Sequence, residues 1–231
     1  MQPTALKPIT LYGASSANPP KVAIILKELE LPHEIIPTPI TEVKAPSFLK
    51  INPNGRLPAI TDPNTGITLW ESGAIIEYLV ERYDTDHKIS FAPGTKESWE
   101  AKQWLYFQAS GQGPYYGQAG WFVKFHTEKI QSAIDRYVAE INRVTGVLEG
   151  HLKKRKEEGM EEPWMVGSKC SYVDLAFVTW QTITTMFLTE EQFNQTKFPE
   201  VEGWVGRMHK RESVESVFDA AKILPSKEVR E

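Results

Sequence analysis

A proline motif near residue 58 could present backbone hydrogen-bonding groups to an extended ligand. The run NPNGRLPAI at 52–60 lies where a helical segment ends and a β-prone segment begins, a position that tolerates proline. If the peptide bond before Pro58 is cis, the Leu57 N–H and C=O face outward and can pair with a peptide-like ligand, as in strand addition. An ordinary trans loop proline is the alternative, since few X–Pro bonds are cis.

A second motif, Glu71-Ser72, precedes an amphipathic helix and could hold the end of an amino acid. Free N–H groups and the helix dipole at a helix N-terminus attract a carboxylate. The Ser72 hydroxyl could donate a further hydrogen bond, and the Glu71 carboxylate could accept one from an ammonium group. Simple capping of the helix by either residue is the alternative.

Alternating strands and helices must position these motifs. β-prone runs predict strands at 9–12, 33–36, 59–62 and 68–70, with a tight turn between the last two. Apolar spacing predicts helices at 21–29 and 71–82 and a helical turn at 47–51. The result is a small mixed α/β domain, expected at residues 1–86. Helical segments at 96–110, 128–155, 171–187 and 201–212 predict an all-helical second domain at residues 94–231.

The composition argues against several kinds of partner. A net charge of −4 on 231 residues indicates neither a nucleic-acid partner nor an acidic membrane surface. No apolar run approaches the ~20 residues of a membrane span, and residues 1–8 read as a loose arm rather than a signal peptide. Cys170 is the only cysteine, so we expect no disulfide framework, no metal and a cytoplasmic location.

Together, the Asn-Gly-Arg-Leu-Pro-Ala-Ile run and the Glu-Ser-Gly-Ala after it resemble the thioredoxin-like domain of cytosolic glutathione transferases. The resemblance implies an α/β thioredoxin-like N-terminal domain, an all-α C-terminal helical bundle domain, glutathione as co-substrate and a homodimer. It also implies a cis Pro58, a Leu57 backbone that pairs with the cysteinyl unit of glutathione, and a Glu71-Ser72 pair that holds the γ-glutamyl end.

A third motif lies in the helical half. Ser171 and Asp174 have the spacing of a helix N-cap and its N3 partner, which predicts a capping box with a structural role. The family carries such a Ser-x-x-Asp box at the equivalent place, so the resemblance extends over both domains, from about residue 9 to about residue 211.

The first loop, at 12–21, presents the group that activates the thiol in this family. It contains no cysteine, unlike the omega-like and glutaredoxin-like branches, and resembles a fungal and bacterial branch that includes the yeast prion-forming nitrogen regulator. That branch implies a functional Asn18. An amide or hydroxyl donor there would stabilise the thiolate and lower the thiol pKa from ~8.5. Ser16 is an alternative donor and Ser15 a weaker one, and helix capping is the alternative role of Asn18. Tyr12 lies in the strand and is not assigned as the catalytic tyrosine.

Further residues are expected around the ligand. Lys44 and Arg56 lie near the expected glycine end of glutathione, and Val43 stands where the branch often has a histidine or glutamine, which shifts the carboxylate contact toward Lys44. Polar and aromatic residues near the domain cleft could line an electrophile pocket, with core packing as the alternative: Gln112, Tyr115, Tyr116 and Phe122.

The favoured function is conjugation of the glutathione thiolate, stabilised by Asn18 or Ser16, to small electrophiles. Glutathione-dependent disulfide reduction or peroxidase chemistry is a second possibility. A glutathione-binding regulatory protein with little transferase activity is a third. Residues 1–8 contain one Gln and no Asn, which gives little sign of a prion-like extension.

Overall fold

A four-stranded mixed sheet forms the first half of the chain in the computed structural model, which describes residues 5–14 and 16–223. The strands are β1 (Ile9–Tyr12), β2 (His33–Ile36), β3 (Ala59–Asp62) and β4 (Ile67–Trp70), in the order β2-β1-β3-β4. β1 is parallel to β2 and antiparallel to β3, and β3 and β4 form a hairpin. The thioredoxin-like prediction is confirmed. Ser15, residues 1–4 of the expected arm and residues 224–231 of the expected second domain lie outside the described residues.

Three helices accompany the sheet: α1 (Pro19–Glu28), α2 (Pro46–Leu49) and α3 (Ser72–Tyr83). Two prolines open α1, where their fixed φ suits the first turn of a helix. The apolar run that follows in α1 is buried, because the helix packs against α3 on one side and against two helices of the second half, Tyr172–Phe187 and Glu212–Ala221, on others. α1, a helix of the first half, therefore lies between α3 and the helices of the second half.

The second half is all-helical, as predicted. Its helices are α4 (Lys96–Phe107), α5 (Gly113–Gly120), α6 (Gln131–Glu157), α7 (Tyr172–Phe187), α8 (Pro199–His209) and α9 (Glu212–Ala221). The predicted helix at 96–110 ends earlier, at Phe107, and the chain continues through a π-helical turn at Gln108–Gln112. A second π-helical turn spans Trp121–Phe125. Such turns are rare and occur often at functional sites.

Asp174 joins the start of α7 to its surroundings. Its fully buried carboxylate accepts hydrogen bonds from the Ser171 backbone N–H and hydroxyl, each at 2.8 Å. It also accepts from the Met165 N–H at 2.8 Å and from Nε1 of Trp204, on α8, at 2.9 Å. Burial raises the pKa of Asp174, although these donors act in the opposite direction. The carboxylate therefore connects α7, the loop before it and α8.

An ion pair between Glu28 and Arg211 joins the two halves at the C-terminal end of α1. Arg211 donates from Nε and Nη2 to the two carboxylate oxygens of Glu28, each at 2.7 Å, and the Ser213 hydroxyl donates at 2.5 Å. Burial alone would raise the pKa of Glu28, but the hydrogen bonds from Arg211 and Ser213 outweigh it and the pKa is lowered. Planar bidentate pairing of this kind fixes orientation as well as distance.

Candidate functional site

The proline motif forms a tightly held loop before β3. Buried Asn52 donates from Nδ2 to the Arg56 carbonyl at 2.7 Å, and its Oδ1 accepts from the Asn54 N–H at 2.9 Å. The Leu57–Pro58 peptide bond is cis, which confirms that prediction. Gly55 has φ +58°, and a Cβ there would lie 2.7 Å from the Val43 carbonyl oxygen, so a larger residue would clash. These contacts define the position of the Leu57 backbone.

The Glu71-Ser72 motif lies at the N-terminus of α3. Glu71 occupies the N-cap position with φ 75° and ψ 114°, a sparsely populated backbone conformation that costs a non-glycine residue roughly 1–3 kcal/mol and is enriched at functional sites. Its exposed side chain makes no capping hydrogen bond. Ser72 is the first residue of α3 and is half-buried. The capping alternative for Glu71 is therefore absent from the structure.

The first loop packs directly against the proline motif. Gly13 has φ +103°, and a Cβ there would lie 3.1 Å from Cδ1 of Leu57 and 2.9 Å from Cγ of Pro19. Ser16 is exposed and also has positive φ, at 82°. The close approach at Gly13 brings the loop that carries Asn18 next to Leu57.

Asn18 is oriented by a residue of the helical half. Its side chain makes no capping hydrogen bond to α1, and instead Oδ1 accepts from Nε1 of Trp180, on α7, at 3.1 Å. An indole N–H can only donate, so the amide oxygen of Asn18 must face Trp180. The amide NH₂ group, which carries two donor hydrogens, then faces away from the indole.

The basic residues lie along the outer side of the proline motif. Lys44 is exposed, and its Nζ donates to the Asn54 carbonyl at 2.7 Å. Arg56 is exposed on the same loop. Val43 is buried and packs with Phe48 and Ala59, so it contributes no side-chain polar group to a ligand. The structure thus places Lys44 against this loop at Asn54, and Arg56 next to Leu57 in the chain.

The four residues expected to line an electrophile pocket are divided between core and surface. Gln112 and Tyr116 are fully buried and their polar atoms are bonded within the helical half, so neither side chain offers accessible surface to a ligand. Tyr115 and Phe122 are partly exposed and both lie against the Tyr137 ring, with centroids 6.4 and 5.7 Å away. Aromatic spacing alone did not separate these two environments.

Three residues at the junction were not predicted as site residues: Lys21, Gln108 and Trp180. Lys21 Nζ donates to the Ser72 hydroxyl at 3.3 Å and to Oε1 of Gln108 at 3.0 Å. Burial lowers the pKa of Lys21 to about 7, and the charge of Glu71 acts in the opposite direction. A lysine among the apolar residues of the first two turns of α1 was the one available signal in the sequence. The contacts of Gln108 and Trp180 arise only from the packing of the two halves.

Two further observations concern metal and membrane. Within residues 5–14 and 16–223, no group of three or more His, Cys, Asp or Glu side chains is placed to hold a metal ion. In that same part of the chain, no helix has the length and apolar character required to span a bilayer.

Comparisons with known proteins agree with this architecture. Residues 11–87 match the family model of the glutathione S-transferase N-terminal domain, and residues 114–212 match that of the C-terminal domain. The glutathione S-transferase-like protein tpcF of Aspergillus fumigatus is 56% identical, over 96% of this chain and 98% of its own length.

Two solved structures extend the comparison. The glutathione transferase URE2P6 from Phanerochaete chrysosporium, in complex with oxidized glutathione, is 46% identical with a TM-score of 0.86, covering 94% of this chain and 98% of its own. Ure2p in complex with glutathione is 36% identical with a TM-score of 0.84, covering 94% and 100%. The chain therefore belongs to the glutathione transferase superfamily and, within it, resembles Ure2.

Proposed function

We propose that this protein binds glutathione between the first loop, the Leu57 backbone and the Glu71-Ser72 motif, and transfers its thiolate to small electrophiles. The observation that carries the proposal is the hydrogen bond from Trp180 to the Asn18 amide oxygen. It turns the amide NH₂ group away from the indole, and the loop that carries Asn18 approaches Leu57 at Gly13, where the cysteinyl unit of glutathione would pair with the backbone.

A donor in that position favours the charged form of the thiol. Hydrogen bonding to a thiolate lowers the pKa of the thiol below its ordinary value of ~8.5. The ionised sulfur then attacks an electrophilic carbon, a C–S bond forms, and the leaving group departs with the electron pair of the broken bond. In this mechanism the Asn18 amide transfers no proton. It acts only as a hydrogen-bond donor held in a fixed position.

The two ends of glutathione would be held by opposite walls of the site. The N-terminus of α3 and the Ser72 hydroxyl suit the α-carboxylate of the γ-glutamyl residue, and Glu71 suits its ammonium group. Lys44, bonded to the Asn54 carbonyl, and Arg56 are exposed on the loop before Leu57 and suit the glycine carboxylate. The sparsely populated backbone conformation at Glu71 supports a ligand-binding role for this corner.

The electrophile would enter beside Trp180, between α5 and α7. Gly113 and Gly117 of α5 face the indole, and a Cβ on them would lie at ordinary van der Waals distance from it, 3.8 and 3.6 Å. The accessible members of the predicted pocket set, Tyr115 and Phe122, belong to α5 and to the π-helical turn after it. This wall carries few polar groups, which suits an apolar electrophile.

Disulfide reduction with glutathione is a second candidate, because URE2P6 was crystallised with oxidized glutathione. Here the thiolate would attack one sulfur of a mixed disulfide, release the other thiol and form oxidized glutathione. Cys170 is unsuited to act as a protein nucleophile in this reaction. It is buried, and burial raises the pKa of its thiol well above the usual value.

Turnover of two substrate types tests these functions. Purified protein with glutathione is assayed against an aryl halide and against a glutathione mixed disulfide. Conjugation of the aryl halide supports the proposal, and reduction of the disulfide alone supports the second candidate. Glutathione binding with turnover of neither would contradict both and leave a regulatory role.

Ser72→Ala is expected to weaken glutathione binding about tenfold or more, because a hydrogen bond to a charged group contributes ~1.5–3 kcal/mol. Titration calorimetry measures the dissociation constant. Cys170→Ser is the control, since it also changes a single side-chain atom but lies outside the site. We expect it to leave affinity and turnover unchanged. Loss of activity in Cys170→Ser would contradict the cysteine-free mechanism.

A homodimer is part of the proposal, with contact expected on the face shared by α3 and α4. A groove of 710 Å³ there carries the exposed Trp99 and Tyr106 rings, acidic Glu77 and Glu81, and basic Lys102. A two-fold interface must be complementary to itself, and a patch with both charges and apolar rings meets that condition. Analytical ultracentrifugation measures the oligomeric state, and a monomer at all concentrations would refute the homodimer.

We also propose a cytoplasmic location, which imaging of a tagged chain would check.

A further inference from the structure

A buried lysine links the proposed glutathione site to the helical half. Lys21, in the first turn of α1, is 2% exposed although its neighbours in the helix are apolar. A lysine is rarely buried unless its charge has partners, because loss of hydration is costly. The two partners of Nζ lie on different halves of the protein: Ser72 at the start of α3 and Gln108 in the π-helical turn.

The ammonium group determines the direction of the Ser72 hydroxyl. An ammonium can only donate, so the Ser72 oxygen accepts the bond from Lys21. The hydroxyl hydrogen must then point away from Lys21. Ser72 is only half-buried and is the first residue of α3, so that hydrogen is available to a ligand at the helix N-terminus.

We infer that Lys21 is a positioning residue of the glutathione site, which orients the Ser72 hydroxyl as a donor to the α-carboxylate of the γ-glutamyl residue. This inference rests on the proposed function. Lys21 lies behind Ser72 and does not contact the ligand. Its bond to Gln108 keeps the ammonium from turning away, because Gln108 is itself buried and held by Gln112 at 2.9 Å.

The electrostatics of the buried group fit this role. Burial disfavours the ammonium and lowers the pKa of Lys21 to about 7, while the negative charge of Glu71 favours it. A carboxylate bound at Ser72 would act in the same direction as Glu71. Ligand and ammonium would therefore stabilise each other across the Ser72 hydroxyl.

Two ligands separate positioning from general support of the fold. One is S-methylglutathione, and the other is its analogue without the α-carboxylate of the γ-glutamyl residue. Lys21→Met keeps an unbranched side chain, one heavy atom shorter, and removes the charge and the donor. We expect this variant to bind S-methylglutathione about tenfold more weakly and the decarboxylated analogue with unchanged affinity. In turnover, KM for glutathione rises while kcat is retained, because Asn18 is not affected.

Lys21→Gln is the second variant, which keeps a neutral donor and guards against poor folding of the methionine variant. We expect its loss of affinity to be smaller than that of Lys21→Met. Equal losses for both ligands would show a merely structural role and overturn the inference, as would unchanged affinity for S-methylglutathione. If the unmodified protein binds neither glutathione nor its S-methyl derivative, the proposed function itself fails.

Discussion

Asn18→Ala is expected to lower kcat for conjugation at neutral pH by about 10–30-fold, because a thiol that returns to a pKa of ~8.5 is only about 3% ionised there. Without the amide NH₂ group, the pKa of the bound thiol returns toward ~8.5 and the thiolate fraction at neutral pH falls. The thiolate absorbs in the ultraviolet, so a pH titration of the complex measures this pKa directly. Glutathione affinity should change much less than kcat, since Ser72 and Leu57 are untouched.

Trp180→Phe is the matched control for this prediction. It keeps an aromatic ring on α7 but removes the N–H that orients the Asn18 oxygen. We expect a smaller loss of kcat than in Asn18→Ala, because the amide is present but free to rotate. An Asn18→Ala protein with unchanged kcat and unchanged thiol pKa would refute the assignment, and Ser16→Ala would then be the variant to measure.

Asp174→Ala is expected to reduce the free energy of unfolding by roughly 3–5 kcal/mol, a loss of the size seen when one member of a buried charged network is removed. Its carboxylate satisfies the donors of Met165, Ser171 and Trp204, all of which would stay buried without an acceptor. Urea denaturation followed by circular dichroism measures the change.

Asp174→Asn is the control, since it keeps the shape and one acceptor oxygen. We expect a clearly smaller loss of stability for it than for the alanine variant. A change below about 1 kcal/mol in Asp174→Ala would mean that water or neighbouring groups replace the carboxylate, and that the capping box is not a determinant of stability.

The fold was predictable from the sequence because local patterns and tertiary packing agree through most of it. The strands at 9–12, 33–36 and 59–62 were placed correctly, since each is a short apolar run bounded by turn residues. The π-helical turns were not predicted. A π-helical turn adds one residue within a continuous helical path, whereas the predicted helix ended at residue 110.

The motifs proposed to face the ligand were predictable from the sequence, whereas the residues that hold Asn18 and Lys21 in place were not. Leu57, Pro58 and Ser72 lie in short runs whose residue types together are specific. The partners of Asn18 and Lys21 are 162 and 87 positions away in the sequence, so no local pattern reports them. Gln112 and Tyr116 were predicted to line a pocket but are buried. Polar and aromatic residues with helical spacing suit a cleft wall and a buried network equally well, so the pattern could not distinguish the two.

The buried side-chain amides of Gln108 and Gln112 point in the same direction. Lys21 can only donate, so Gln108 must turn its oxygen toward the ammonium and its NH₂ group toward Gln112. Gln112 repeats this orientation and donates to Gln181 at 3.1 Å. The amide dipoles therefore run head to tail from the first half into the bundle, as peptide dipoles do along a helix. The sense of the row is fixed at both ends: by the Lys21 ammonium, which only donates, and by the Phe177 carbonyl, which accepts from Gln112 Nε2 at 3.3 Å.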